Sequence, residues 1–244
     1  MFPGIGTLIN GLAILLGSLI GVSVGAKFKE SSQKLTTDIL GLVTILGAVS
    51  ALMPLWSSSF KASIPDGTPL LLVLATLLIG GLIGAALNIE GKLERFGDFL
   101  RRKFKASSEG TFIDGFVTAS LLFVIGPLAI LGSISDGMGQ GIDQLLLKSA
   151  LDFFASLAFA STLGFGVTAS VIPVVIYQGT WTLAGLIMGN VLSQYQIDAM
   201  TICGGLLLVS IGLKLLKIKS IPVGNLLPAL FLAPFSAVLV HQFI

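Results

Sequence analysis

Runs of about 20 apolar residues recur along this chain from one end to the other, and they leave it few ways to fold. Each run is long enough to cross a hydrocarbon core of about 30 Å as a helix. Inside such a core every backbone N–H and C=O must be satisfied by the protein itself, so only helices and closed barrels span it. A barrel would show alternating segments of about 10 residues, and the chain has none. Composition agrees, with 54% hydrophobic and 11% charged residues and a mean hydropathy of +1.00. The expectation is an all-α, polytopic transmembrane helical bundle.

About eight segments can be drawn, near 5–26, 39–56, 69–89, 111–133, 149–178, 179–193, 199–216 and 222–243. The connectors are short, so residues 1–244 read as a single transmembrane domain. The opening MFPGIGTLIN lacks a basic n-region, so the first helix is expected to be retained rather than cleaved.

Charge orients the segments. With the N-terminus outside, all of the 14 Lys and Arg residues except Lys61 and Lys148 fall on the cytoplasmic side. Both termini are then outside. The same bias requires 149–178 to cross once, because a second crossing would put Lys214, Lys217 and Lys219 outside. Two cytoplasmic connectors, KFKESSQKLTTDIL and the stronger KLERFGDFLRRKF, read as amphipathic helices lying at the membrane interface.

Small residues at four-residue spacing mark close helix packing: Gly17, Gly21 and Gly25; Gly80 and Gly84; Gly185 and Gly189. They suit a tight bundle and are compatible with a homodimer. GSLIG (17–21) resembles GGLIG (80–84), a pair running in the same direction, and LATLLIGG (74–81) resembles LAGLIMGN (183–190), a pair running in opposite directions that would fit internal inverted repeats.

Ionisable residues in or near membrane segments are few. Asp114, Asp136, Asp143 and Asp198 lie close to segment ends and read as solvated or capping groups. Asp152 differs. Lys148, Asp152 and Ser156 fall at i, i+4 and i+8, on one helix face, with Ser161 and Thr162 beyond. Charge placed in a membrane segment is costly and should face protein or a water-filled cavity. The segment then breaks in STLGFGVTAS, where Gly164 and Gly166 disfavour helix and hydroxyls are dense. Unwound backbone there would offer carbonyls as ligands. The candidate ion- or substrate-binding set is therefore Asp152, Lys148, Ser156, Ser161, Thr162, Gly164 and Gly166. A broken fifth helix would face the irregular fourth, which carries Gly126 and Pro127. Asn10 and Gln178 read as interhelical hydrogen-bonding groups. The Thr162–Gly166 string TLGFG is similar to a potassium-channel filter over five residues only, without the pore helix that a filter requires.

Enzymatic chemistry is not expected. The one histidine, His241, is beside the C-terminus, the one cysteine, Cys203, lies in an apolar run, and no nucleophile, zinc, P-loop or dinucleotide motif occurs. No cofactor and no nucleic-acid partner is expected, and the identity of any metal stays open. Three blocks, GTLINGLAILLGSLIG, GPLAILGSISDG and KSALDFFASLAFASTLGFG…PVVIYQG, resemble the YqgA/YdfK-like family of bacterial integral membrane proteins, a domain of unknown function. That resemblance implies a bacterial inner-membrane location and supplies no substrate. The residues themselves point to a carrier of a small ion or solute in the lipid bilayer, with a cation or proton site on the fifth helix. The alternatives are a cation channel, or a scaffold or sensor that binds lipid or a partner through its basic amphipathic helices.

Overall fold

The computed structural model describes residues 2–27, 29–65, 67–104, 109–188 and 192–242. Among these residues every regular element is a helix. In chain order they are α1 (Ile5–Gly25), α2 (Glu30–Leu52), α3 (Ser58–Ser63), α4 (Pro69–Ala86), α5 (Ile89–Lys103) and α6 (Glu109–Val124), then α7 (Pro127–Gly137), α8 (Asp143–Leu163), α9 (Gly166–Ala169), α10 (Val171–Met188), α11 (Gln194–Leu215) and α12 (Val223–His241). A 3-10 turn, Met53–Trp56, follows α2.

Among the described residues, 7 helices are long and apolar enough to cross a membrane, or up to 8 crossings if the bent pair Thr111–Val124 and Leu128–Gly137 forms one. That pair bends by 62°, at Gly126 and Pro127. Proline lacks the N–H that would continue the helix, which accounts for the site of the bend. Large apolar side chains stay outward on these helices, among them Leu46, Leu82, Ile187 and Phe235. An apolar exterior is what a lipid solvent selects, since lipid tails give no drive to hide it.

The interruption in 161–170 is present, and its consequence is larger than a kink. Helix α8 ends at Leu163, and Gly164 adopts φ +73°, which a residue with a Cβ resists. The stretches on either side, Asp143–Leu163 and Gly166–Ile187, are each long enough to cross. The fifth and sixth segments therefore meet at Gly164, not at 178–179. KFKESSQKLTTDIL is not a separate interfacial helix either. No Gly or Pro interrupts 30–40, so these residues form the opening turns of α2. The stronger connector does form its own helix, α5. There Gly97 and Leu100 are buried while Phe96 and Phe99 stay partly exposed. Asp98 accepts from Arg101 and pairs with Arg102 on this helix. The Arg101 hydrogen bond holds its carboxyl below the usual 3.8.

The chain divides into two compact units. The first comprises Met1–Leu40, Leu93–Val124 and Leu128–Val191. Its axis is α1, with α8 alongside in parallel: Gly17 meets the Phe153 carbonyl, Gly21 that of Leu157, and Gly25 that of Ser161. Helix α10 runs antiparallel on α1, with Gly11 against Val175. Gly185 of α10 packs on the Ile134 carbonyl of α7, while its expected companion Gly189 lies outside the described residues.

The second unit comprises Gly41–Lys92, Ile125–Pro127 and Leu192–Ile244. Helices α4 and α12 pack antiparallel, Gly80 on Ala229 and Gly84 on the Asn225 carbonyl. Helix α11 lies antiparallel to the second half of α2, with Gly212 against Ile45 and Gly205 against Leu52. The Glu90 carboxylate accepts from Gly224 N–H at the start of α12, where the helix dipole favours an anion. His241 donates from Nδ1 to the Ser63 carbonyl and stacks on Tyr195.

Candidate functional site

The seam where α1, α8 and α10 meet carries the chemistry of the first unit. Helix α1 changes character halfway along. From Gly6 to Gly17 it meets polar groups, Asp136, Thr182, Asp152, Gln178 and Ser156, among apolar ones such as Leu145 and Val175. From Gly21 to Gly25 its glycines press directly on α8 backbone, leaving no room for a Cβ.

At the centre of the polar half, Lys148 Nζ donates to Asp152 Oδ2 at 2.7 Å. Both residues are only 7% exposed. They sit four residues apart on α8, so the helix repeat itself places them together. Two further side chains close on the pair from other helices. Asn10 of α1 donates from Nδ2 to the same Asp152 Oδ2 at 3.0 Å and to Gln178 Oε1 of α10 at 3.3 Å. Asn10 and Gln178 are fully buried. Buried charge needs both pairing and hydrogen bonding, and the carboxylate oxygen here has two donors.

Two atoms of this cluster have no hydrogen-bond partner, Asn10 Oδ1 and Gln178 Nε2. One is an acceptor and the other a donor. Exchanging the amide oxygen and nitrogen of Asn10 would turn an oxygen toward the Asp152 carboxylate, so the assignment is set by the carboxylate. Unsatisfied buried polar atoms are uncommon, and here an acceptor and a donor of this kind belong to two side chains that are bonded to each other.

One turn toward the α1 N-terminus, Thr7 and Thr182 hydroxyls meet at 3.2 Å. Beyond them Gly6 N–H donates to Asp136 Oδ2 at 3.0 Å. Asp136 is 3% exposed, so it is not a solvated loop carboxylate but the group that satisfies a free N–H at the start of α1. One turn the other way along α8, Ser156 is fully buried against Gly17 and donates to the Phe153 carbonyl.

The seven residues singled out from the sequence therefore separate. Lys148 and Asp152 are joined, and Ser156 follows one turn on. Ser161 and Thr162 donate to carbonyls of their own helix, Ala158 and Phe159, near the end of α8. Gly164 is twelve residues past Asp152, about 18 Å along a helix, at the turn to α10. Gly166 packs on the Phe112 carbonyl of α6. The glycine break and the charge pair are thus at different levels of the unit, and carbonyls at the break do not reach Asp152. Asn10 and Gln178, read from the sequence as interhelical hydrogen-bonding groups, do bond to each other, and Asn10 brings them to the Lys148–Asp152 pair. Their only signal was polarity within apolar helices.

In the second unit Asp198 is 7% exposed and accepts from Gln194 Nε2 at 2.8 Å. It lines a cleft of about 600 Å³ with Ser50, Met53, Trp56, Ser57 and Gln194. Cys203 is buried.

Comparison with known proteins returns one family and two relatives over nearly the whole chain. The family described as "Protein of unknown function (DUF554)" matches residues 5–238. The "Uncharacterized membrane protein YdfK" of Bacillus subtilis (strain 168) is 32% identical over 238 residues, covering 98% of this chain and 97% of that protein. The "Uncharacterized protein YqgA" of Escherichia coli (strain K12) is 32% identical over 238 residues, covering 96% of each. No solved structure matches.

Proposed function

The chain belongs to the DUF554 family of proteins of unknown function, and from that premise we propose that it is a membrane carrier of a small ion or solute working through Asp152. The observation that carries the reading is the buried Lys148–Asp152 pair, held from a second helix by Asn10. A lone structural ion pair gains little over apolar packing of the same shape, because desolvation offsets the attraction. Polar groups on three helices, α1, α8 and α10, converge on this pair, as carrier sites between helices do.

Lys148 neutralises the carboxylate in the empty state, and Asp152 takes the transported or coupling charge. Thr7, Thr182 and Asp136 line the approach from the N-terminal end of α1. The positive-inside bias places that end outside the cytoplasm of a bacterial inner membrane, with both chain termini outside. No covalent step and no cofactor enters this function, and the partners are the bilayer and the transported species.

The test is uptake into proteoliposomes of protons, sodium-22 and rubidium-86, comparing the native chain with Asp152→Asn. Equal fluxes in the two proteins would remove Asp152 from the function. A second reading, a lipid-binding scaffold or sensor, is favoured by α5, where Phe96 and Phe99 lie beside Arg101, Arg102 and Lys103. Thiol labelling of single cysteines at 148, 152 and 156, in a chain lacking Cys203, separates the two. Water-accessible positions support the carrier and a dry face supports the scaffold.

A further inference from the structure

We infer that the species handled at Asp152 is a proton, received through the Asn10–Gln178 amide pair, rather than a metal cation. This rests on the carrier reading above and narrows it. Three features of the cluster separate the two kinds of cargo.

The first is the donor set. A hard divalent cation takes six or more oxygen ligands, usually with more than one carboxylate. The cluster offers one carboxylate, and one of its oxygens already accepts from Lys148 Nζ and Asn10 Nδ2. Lys148 Nζ, 2.7 Å from that oxygen, also takes up space that a cation on Asp152 would use.

The second is the pair of orphan atoms. A bare cation would satisfy Asn10 Oδ1 but would be repelled by the N–H dipole of Gln178 Nε2. A water within reach of both would satisfy them, accepting from Nε2 and donating to Oδ1. Such a water can deliver a proton, which no metal-ligand arrangement requires.

The third is what protonation does. The proton passes from hydronium to the Asp152 carboxylate, giving a neutral carboxyl and a water. The new O–H is a donor, and the acceptor without a partner, Asn10 Oδ1, belongs to the side chain already bonded to this carboxyl. Amide and carboxylic acid then complement each other, each giving one donor and one acceptor. The neutral carboxyl no longer holds the Lys148 ammonium, so the ion pair opens and the cluster gains one positive charge. Proton uptake is in this way tied to a change in the contacts across α1 and α8.

The other titratable groups near this point are few. Lys148 is on the same helix, and α1 brings no ionisable side chain to the cluster. Tyr177 adjoins Gln178 on α10, and Asp136 of α7 lies at Gly6, one turn beyond Asn10. From α6, Asp114 adjoins Gly115, which meets Leu163 at the far end of α8.

The experiment uses the purified full chain in proteoliposomes holding a pH-sensitive dye, with sodium-22 and rubidium-86 uptake measured in parallel. Proton movement is expected in the native protein, with sodium and rubidium at the level of protein-free vesicles. Asp152→Asn is expected to abolish it, and Asn10→Leu and Gln178→Leu to slow it by roughly 100-fold, the worth of a positioned proton-transfer group. Infrared difference spectra of the native chain provide a readout independent of variant folding. The protonated carboxyl band that grows as pH falls should lose one component in Asp152→Asn, the other carboxyls of the chain supplying the rest. Sodium or rubidium uptake that depends on Asp152 without proton movement would overturn this inference and keep the carrier. Proton movement unchanged in Asn10→Leu and Gln178→Leu would overturn the amide relay. No Asp152-dependent flux of any of the three ions would overturn the inference and, with it, the reading of Asp152 as a cation-carrying site.

Discussion

Asn10 and Asp152 lie 142 residues apart in the chain and meet through a 3.0 Å hydrogen bond between two fully or almost fully buried side chains. The contact ties α1 to α8 within the polar half of their seam, with Ser156 against Gly17 one turn further on. It also gives Asn10 two duties, because the same Nδ2 donates to Gln178.

Replacing Asn10 with alanine should therefore cost more than one hydrogen bond. Gln178 Oε1 loses its donor, and Asp152 Oδ2 keeps only Lys148. Leaving buried polar groups unsatisfied costs about 1–3 kcal/mol. Thermal unfolding in detergent should show a clear drop for Asn10→Ala. A midpoint equal to the native one would mean that the contact carries no weight.

The Lys148–Asp152 pair should behave asymmetrically under mutation. Lys148→Met strands a buried carboxylate, for which the expected loss is about 3–5 kcal/mol. The double variant Lys148→Met, Asp152→Leu removes both charges and should recover most of that loss, since apolar replacement of a buried pair is often neutral. A double-mutant cycle on unfolding free energies measures the coupling. Additive losses would show that the two charges are solvated independently.

Glycines at the α1–α8 crossing should tolerate no enlargement. A methyl at Gly21 would run into the Leu157 carbonyl, and at Gly25 into the backbone of Ser161. Gly21→Ala should lower stability, since backbone on both sides cannot yield without parting the helices. Gly47 of α2 has nothing within 4 Å of an added Cβ. Gly47→Ala should be neutral or stabilising by roughly 0.5–1 kcal/mol through helix propensity. Unfolding midpoints of the two variants test the contrast.

Asp98 provides a titration outside the spans. Its carboxyl is held below 3.8 first by the Arg101 hydrogen bond. A depressed folded value means that the stabilisation is complete above the unfolded value and is lost as pH falls through the folded one. Carbon-13 titration of labelled aspartate should place Asp98 below an exposed aspartate, and Arg101→Gln should return it upward. An Asp98 signal unmoved by Arg101→Gln would exclude that cause.

The features legible in the sequence are those written locally. Long apolar runs marked the spanning helices, and the helix repeat alone paired Lys148 with Asp152. Gly164 and Pro127 marked real interruptions, because a missing Cβ or N–H acts at its own position. The size of the interruption at Gly164 was harder to read. Whether chain continues or turns back there depends on α1, which meets α8 in ascending order and α10 in descending order.

Partners from distant segments left no trace. Asn10 and Gln178 are 168 residues apart, and each is an ordinary polar residue within its own helix. Asp136 stands in a stretch rich in Gly and Ser that reads as an outer loop, yet it is buried because Gly6 N–H needs an acceptor. Ser161, Thr162, Gly164 and Gly166 sat near Asp152 in sequence, and the helix rise carried them away from it.

The most direct measurement is the dye-reported proton flux of the native chain and of Asp152→Asn, reconstituted at equal density in vesicles under the same pH gradient. A carrier built on Asp152 gives a flux well above protein-free vesicles in the native chain and a background trace in the variant. Identical traces from the two proteins, with both folded and inserted, would contradict it.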